Sequence, residues 1–247
     1  ALGTANAMMD VIIRPSLIAA GLPPDAVVLL NSPEHAAGWC LFSDSRLGLA
    51  VARGSGAAVS ELGSIAQQSG IPVSLHGTGG AWMVVGEQAN LERLESCVLH
   101  SLDRKVCNTL NVVAVIRHHA SVHVPIILKA AESAAAARGT RPRVHAIQGA
   151  EAFFANGAHI SVRRPEGETN EPQVSVASVE SLGTEYEWEE NPEFAIVLVE
   201  NVDEAIELFN EYSPQFIVSV ISEDEAEQQR VWAGTNAPFF GDGFTRW

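Results

Sequence analysis

Apolar and polar positions along this chain follow two rhythms. In some stretches apolar residues return every three or four positions, the mark of a half-buried helix; in others four to eight apolar residues run together, the length of a buried strand. Residues 2–20 read as a helix from Ala7, Met8, Val11, Ile12 and Ile18, with Pro15 placed to kink or divide it. Gly21, Pro23 and Pro24 stop it. Apolar runs at 25–30, 47–52, 71–75 and 81–85 predict strands, with helical patterns at 34–42 and 57–69 between them. Further on, helices are predicted at 90–102, 122–138, 201–212 and 223–232. Strands are predicted at 110–116, 144–147, 194–199 and 216–221, and a single helical turn at 151–155. Asn201 is a ready N-cap. Such alternation predicts an α/β protein on a parallel, doubly wound sheet. The stretch 163–172, rich in charge and turn formers, reads as an exposed loop or loose hairpin. The acidic run 180–193, around Tyr186 and Trp188, reads as mostly solvated surface.

Composition narrows the function classes. With 247 residues and 47% hydrophobic content there is material for one large core or two medium ones. Abundant Ala and Val with few aromatics suit close helix–sheet packing. A formal net charge of -15 opposes nucleic-acid binding, although a local basic pocket can still take an anionic small molecule. No apolar run approaches the roughly 20 residues of a membrane span, so no membrane partner is expected. Cys40, Cys97 and Cys107 have no CxxC spacing, which argues against disulfides and structural zinc and for a reducing, cytoplasmic setting. The helical-looking start and the ending at 244–247 read as those of a fragment. A homo-oligomer is an expectation for the full-length protein only.

Three places carry candidate chemistry. Cys107 stands at the entrance of the apolar run 110–116, after Arg104 and Lys105 and before Asn108 and Thr109. A thiol there is either a small buried filler or a nucleophile held still by a sheet and open to a cleft. The two cations could lower its pKa and attract phosphate. A hinge just before Cys107, dividing the chain into 1–103 and 104–247, would set it at a domain interface. Arg53-Gly54-Ser55-Gly56 joins a strand to a helix, either as a plain tight turn or as a cradle for a phosphate. His76 opens a glycine-rich stretch, Gly77-Thr78-Gly79-Gly80, as a loop-orienting residue or a proton carrier. His118 and His119 are adjacent, but no carboxylate or cysteine lies at helical spacing to complete a metal site, so they read as surface and no metal is expected.

In their order, several motifs resemble the aldehyde dehydrogenase superfamily, and within it the gamma-glutamyl phosphate reductase (glutamate-5-semialdehyde dehydrogenase) family. They are Arg53-Gly54-Ser55-Gly56, Ile71-Pro72-Val73 with His76-Gly77, Val106-Cys107-Asn108-Thr109, Glu193-Phe194, Val202 to Ile206, Asn236-Ala237 and Asp242-Gly243-Phe244. The resemblance implies an aldehyde dehydrogenase-like fold: the end of a Rossmann-type cofactor domain over 1–103, then an α/β catalytic domain over 104–247. It implies that Cys107 is the nucleophile and that Gly54, Ser55 and Gly56 lie near the dinucleotide. Glu193 would hold the nicotinamide ribose, and His76, Asn108 and Arg104 would position substrate or loops.

The implied reaction is NADPH-dependent reduction of gamma-glutamyl phosphate to glutamate 5-semialdehyde and phosphate through a cysteine thioester, a step of proline biosynthesis. Two alternatives stay open: a related oxidoreductase using another acyl donor, and a non-catalytic module that keeps the fold. Departures bear on the choice. Leu75 stands where hydrolytic members carry a general-base Glu, and Leu cannot activate water. Thr78-Gly79-Gly80 replaces the reductase's Asp-Gly-Asn, Arg104 is shifted by one place, and Asn111 stands in place of a Glu.

Overall fold

A computed structural model describes residues 2–54, 56–154 and 157–246. The chain forms two compact units, Ala1–Gly77 and Thr78–Trp247. The division falls well before the boundary expected at 103/104. The reason is that the strand at 81–85 pairs with the strand at 110–116 in one sheet, so both belong to the second unit.

The first unit opens with helix α1 (Leu2–Met8), a π-helical turn (Met9–Ile13) and α2 (Arg14–Ala19). Pro15 lies in the first turn of α2. It has no N–H to give to the preceding turn, and the helix loosens just before it. Helix α3 (His35–Phe42), strand β1 (Ala50–Arg53), helix α4 (Gly56–Gln68) and strand β2 (Val73–His76) follow. β1 and β2 pair in parallel across α4, which Gly70 terminates at a φ of 71°. The core beneath them is small: Ala50, Ala66 and Ile71. The strand expected at 25–30 does not form. No described strand of the unit pairs with it, and Val28 is 77% exposed. Apolar character alone leaves such a run without a ladder for its backbone groups.

The second unit contains β3 (Ala81–Val85), α5 (Leu91–Ser101), β4 (Leu110–Ile116), α6 (Ala120–Ala136), β5 (Arg143–Ile147), β6 (His159–Arg164), β7 (Gly167–Pro172), β8 (Val174–Val176), β9 (Glu193–Val199), α7 (Val202–Tyr212), β10 (Ile217–Ile221), α8 (Glu225–Gly234) and β11 (Phe239–Gly241). Seven strands form one sheet in the order β11-β10-β3-β4-β9-β5-β8, every pair parallel. The chain moves one way across the sheet through α5 and α6, then returns through α7 and α8. Right-handed crossovers therefore put the two helix pairs on opposite faces. Alternate side chains record this. Met83, Val113 and Ile196 pack with Leu94 and Ile127, whereas Trp82, Val112 and Val197 pack with Leu208 and Val231. Burial on both faces explains why β3, β4 and β9 read as unbroken apolar runs.

Of the two readings of the stretch 163–172, the hairpin holds: it takes part in a regular antiparallel pair, β6–β7. One further expectation changes. The acidic run is only partly solvated, since Tyr186, Trp188, Asn191 and Glu193 are all buried in it. Trp188 packs under the Arg138 guanidinium, and Tyr186 stacks on His145 with ring centroids 4.1 Å apart. Among the described residues no helix is long and apolar enough to cross a membrane.

Candidate active site around Cys107

Cys107 sits in the turn between α5 and β4, and its side chain is exposed rather than buried as filler. The turn is stiff. The Thr109 hydroxyl accepts from the Val106 N–H at 2.7 Å and donates to the Arg104 carbonyl at 2.8 Å. The Cys107 carbonyl accepts from the Gly80 N–H at 2.8 Å, which ties the thiol's backbone to the loop before β3. Gly79 must be glycine here, because a Cβ would come within 2.4 Å of the Cys107 carbonyl oxygen.

A second layer holds that loop. Glu185 accepts from the Gly79 N–H at 2.5 Å and from Lys105 Nζ at 2.6 Å. The segment carrying Glu185 is fixed by Asn111. Its Nδ2 donates to the Thr184 carbonyl at 2.8 Å and its Oδ1 accepts from the Tyr186 N–H at 2.9 Å. Asn111 can do this because the β3–β4 register slips at that point: Ala81 faces Leu110 and Trp82 faces Val112. A bulge of this kind re-aims a side chain beside a site. Thr109 is part of the motif read from sequence, but Glu185 and the clamp made by Asn111 are not legible there. Glu185 lies in a run whose charges read as solvated, and only tertiary contact separates it from its neighbours.

The sulfur faces an open cleft of about 680 Å³ lined by His100, Asp103, Arg104, Val106, Asn108, Phe244 and Arg246. Arg104 and Asn108 line this cleft together with Cys107. Lys105 is instead held by Glu185, with Glu187 3.6 Å away. Arg246 is a lining residue that the sequence did not suggest. It pairs with Asp103 at 2.7 Å and is only 11% exposed. Burial pushes its proton affinity down, Asp103 opposes this, and the nearby Arg104 and Arg138 charges add to it. One carboxylate therefore faces several guanidiniums, and the local field favours an anion although the whole chain is acidic.

Glu193 is not brought to this cleft. It starts β9 opposite Arg143 on β5, and its side chain is 4% exposed. It forms ion pairs with Arg143 and with Arg164 at 2.9 Å, and a hydrogen bond with His145 at 2.8 Å. Burial alone would raise its pKa. The hydrogen bonds from His145 and Arg164 and the charge of Arg143 outweigh that and hold the carboxyl below its usual range. A ribose hydroxyl has no access to such a carboxylate, so the expected role of Glu193 is corrected: it closes a buried ion-pair network. On its far side His145 Nδ1 meets the Ser175 hydroxyl at 2.9 Å.

The remaining expected residues lie in the first unit. Gly54 follows β1 and its N–H donates to the His76 carbonyl at 3.4 Å, while Gly56 opens α4. Ser55 lies outside the described residues. Gly77 packs so closely on Gly56 that a Cβ there would come within 3.2 Å of the Gly56 Cα. A Cβ on Gly54 would meet nothing within 4 Å. Gly54 is therefore open on its Cβ side and Gly56 starts a 13-residue helix, which fits a phosphate-bearing group.

No family model matches the chain. Among curated proteins it is similar to the gamma-glutamyl phosphate reductase of Opitutus terrae, 27% identical over 245 residues that make up 98% of this chain and 52% of that one. The chain spans about half the length of most of the curated relatives it matches. Among solved structures, the gamma-glutamyl phosphate reductase of Thermotoga maritima superposes with a TM-score of 0.77 at 20% identity, over 99% of this chain and 53% of that one. An indole-3-acetaldehyde dehydrogenase in complex with NAD+ gives a TM-score of 0.65 at 17% identity, over 92% and 50%. The fold is that of the aldehyde dehydrogenases. Within that fold, the resemblance read from the motifs around Gly54, Cys107 and Phe194 is matched by the curated similarity to the reductases.

Proposed function

We propose that this chain is the thiol-bearing portion of an acyl-phosphate reductase that acts on gamma-glutamyl phosphate in proline biosynthesis. The observation that carries the reading is the exposed Cys107 sulfur, on a turn braced by Thr109, Gly79 and Gly80 and opening into a cleft with Arg104 and Arg246. The Cys107 thiolate attacks the acyl carbon, a C–S bond forms, and the C–O bond to phosphate breaks. The departing phosphate carries its extra charge toward Arg104 and Arg246. Asn108, half-buried beside the sulfur, helps to orient the acyl group. A preorganised donor aimed at the developing oxyanion is worth about 3 kcal/mol of barrier, and the Cys107 N–H is the candidate. With no carboxylate at Leu75, the chain offers no base there to activate water on the thioester. Gly54 and Gly56 would hold the phosphate groups of NADPH, which when bound supplies the hydride that releases the acyl group as an aldehyde. The same setting is the reducing cytoplasm, where Cys107 stays a free thiol.

The test is Cys107→Ala in the full-length protein, assayed on acyl phosphates, acyl thioesters and aldehydes. A fall of about 10³-fold or more in kcat on gamma-glutamyl phosphate is expected. Retained turnover would overturn the covalent scheme, and a preference for a thioester would move the substrate to another acyl donor.

A further inference from the structure

No carboxylate or cysteine lies at helical spacing from His118 and His119, but the sheet brings a carboxylate to them. Glu87 follows β3 and the two histidines follow β4. Because these strands are parallel neighbours, all three residues arrive at the carboxyl edge of the sheet. Glu87 Oε2 lies 2.9 Å from His118 Nε2 and 3.0 Å from His119 Nε2. The three donor atoms all fall within 4.8 Å of one another. Two donors that share one ion at about 2.0–2.1 Å each are roughly 3 Å apart. The gap is thus already the size that an ion would need.

The turns that bear these ligands are anchored from beneath. The Glu87 N–H donates to Glu227 Oε1 at 3.1 Å, and Glu227 is buried. Gly86 leaves room for that carboxylate, since a Cβ there would come within 2.0 Å of Glu227 Oε2. On the other turn, Arg117 donates to Glu200 and, at 2.9 Å, to the Gln148 carbonyl. The ligand side chains themselves are 36–58% exposed, so an ion can enter from solvent. The site is also separate from Cys107, which stands at the opposite edge. The seven residues of β4 put about 23 Å between the two ends. Carboxyl edges of open parallel sheets are where ligands usually bind.

We propose that Glu87, His118 and His119 form a binding site for a divalent first-row transition-metal ion of the zinc or cobalt type, with its remaining positions open to water. Two imidazoles and one carboxylate select such ions over magnesium and calcium, which prefer all-oxygen shells. The net charge of -15 raises the local concentration of any cation.

The test is Co²⁺ titration of the full chain, followed by visible absorption, with the cysteines intact and alkylated. One Co²⁺ per chain is expected, displaced by Zn²⁺ and not by excess Mg²⁺, and indifferent to alkylation. Glu87→Gln and His118→Ala should each weaken binding about tenfold or more. As an independent reading in the unmutated chain, Co²⁺ should broaden the ring-proton NMR signals of His118 and His119 before those of His159. Unchanged affinity in the folded His118→Ala/His119→Ala variant would overturn the proposal. So would binding abolished by alkylation, which would assign the ion to thiols.

Discussion

Glu193 carries more of the second unit's internal electrostatics than any other single side chain described above. Three positively charged or protonatable partners converge on it in a place where its carboxylate is 4% exposed. Neutralising it leaves the half-buried Arg143 and Arg164 with less counter-charge, and breaking a buried pair typically costs about 3–5 kcal/mol. Glu193→Gln should therefore lower the urea midpoint by an amount equal to about 3 kcal/mol with an unchanged m-value. A loss below about 1 kcal/mol would show that the ion pairs and their desolvation nearly cancel. The residue scale is also where sequence reading succeeds and fails most sharply. The position of Cys107 at the mouth of an apolar run was legible, but that position suits a buried filler as well as an open thiol, and only the fold shows the side chain exposed. Glu193 was misjudged because a carboxylate among five others looks the same on paper whether water or arginine surrounds it. Only the pairing of β5 with β9 brings Arg143 opposite it.

Among the elements, the β6–β7 hairpin shows how charge can fix a structure that lacks much apolar surface. Arg164 on β6 holds Glu171 on β7 and also reaches Glu193. The Arg164 hydrogen bonds are the main cause that brings the Glu171 carboxyl down to about 2. Burial opposes them, and Thr169 and the Arg143 charge assist. A carboxyl with a folded pKa below its unfolded value binds fewer protons when native. Its contribution is complete above about pH 4.5 and is lost as the pH falls toward about 2. Glu171→Gln should flatten the acid limb of the stability profile between those limits, read as the difference from wild type in denaturant midpoints at each pH. An unchanged slope would mean that Arg164 does not stabilise the charged form. Periodicity located most helices and all the central strands of this unit, because both signals come from burial. It missed β8 and β11, each three residues long, since their pairing is set by neighbours and not by their own pattern.

For the whole molecule, the two units differ in how much apolar material they enclose. Among the described residues the buried cluster of the first has three members, and Val11, Ile12, Ile18, Val27 and Val28 are exposed. The second has two extensive clusters, one on each face of its sheet. Amide hydrogen exchange should reflect this, with β3, β4 and β9 the slowest segments and residues 2–54 exchanging orders of magnitude faster. Comparable protection of β1 and β4 would contradict it. The fold class was legible at this scale because strand–helix alternation leaves few topologies open. The position of the division was not legible, because it depends on which strands pair.

In the middle strands of the second unit every side chain is walled in on both faces, so only their tips meet the outside world. Reactivity in such a slab is confined to its two rims. The thiol turn occupies one rim, and the imidazole pair occupies the other. Lineages can then rewrite the interior with any hydrocarbon of suitable volume, and the outer helix faces almost at will, without disturbing either rim. Identity to the Thermotoga maritima reductase can accordingly fall to 20% while the architecture still superposes along nearly the full chain.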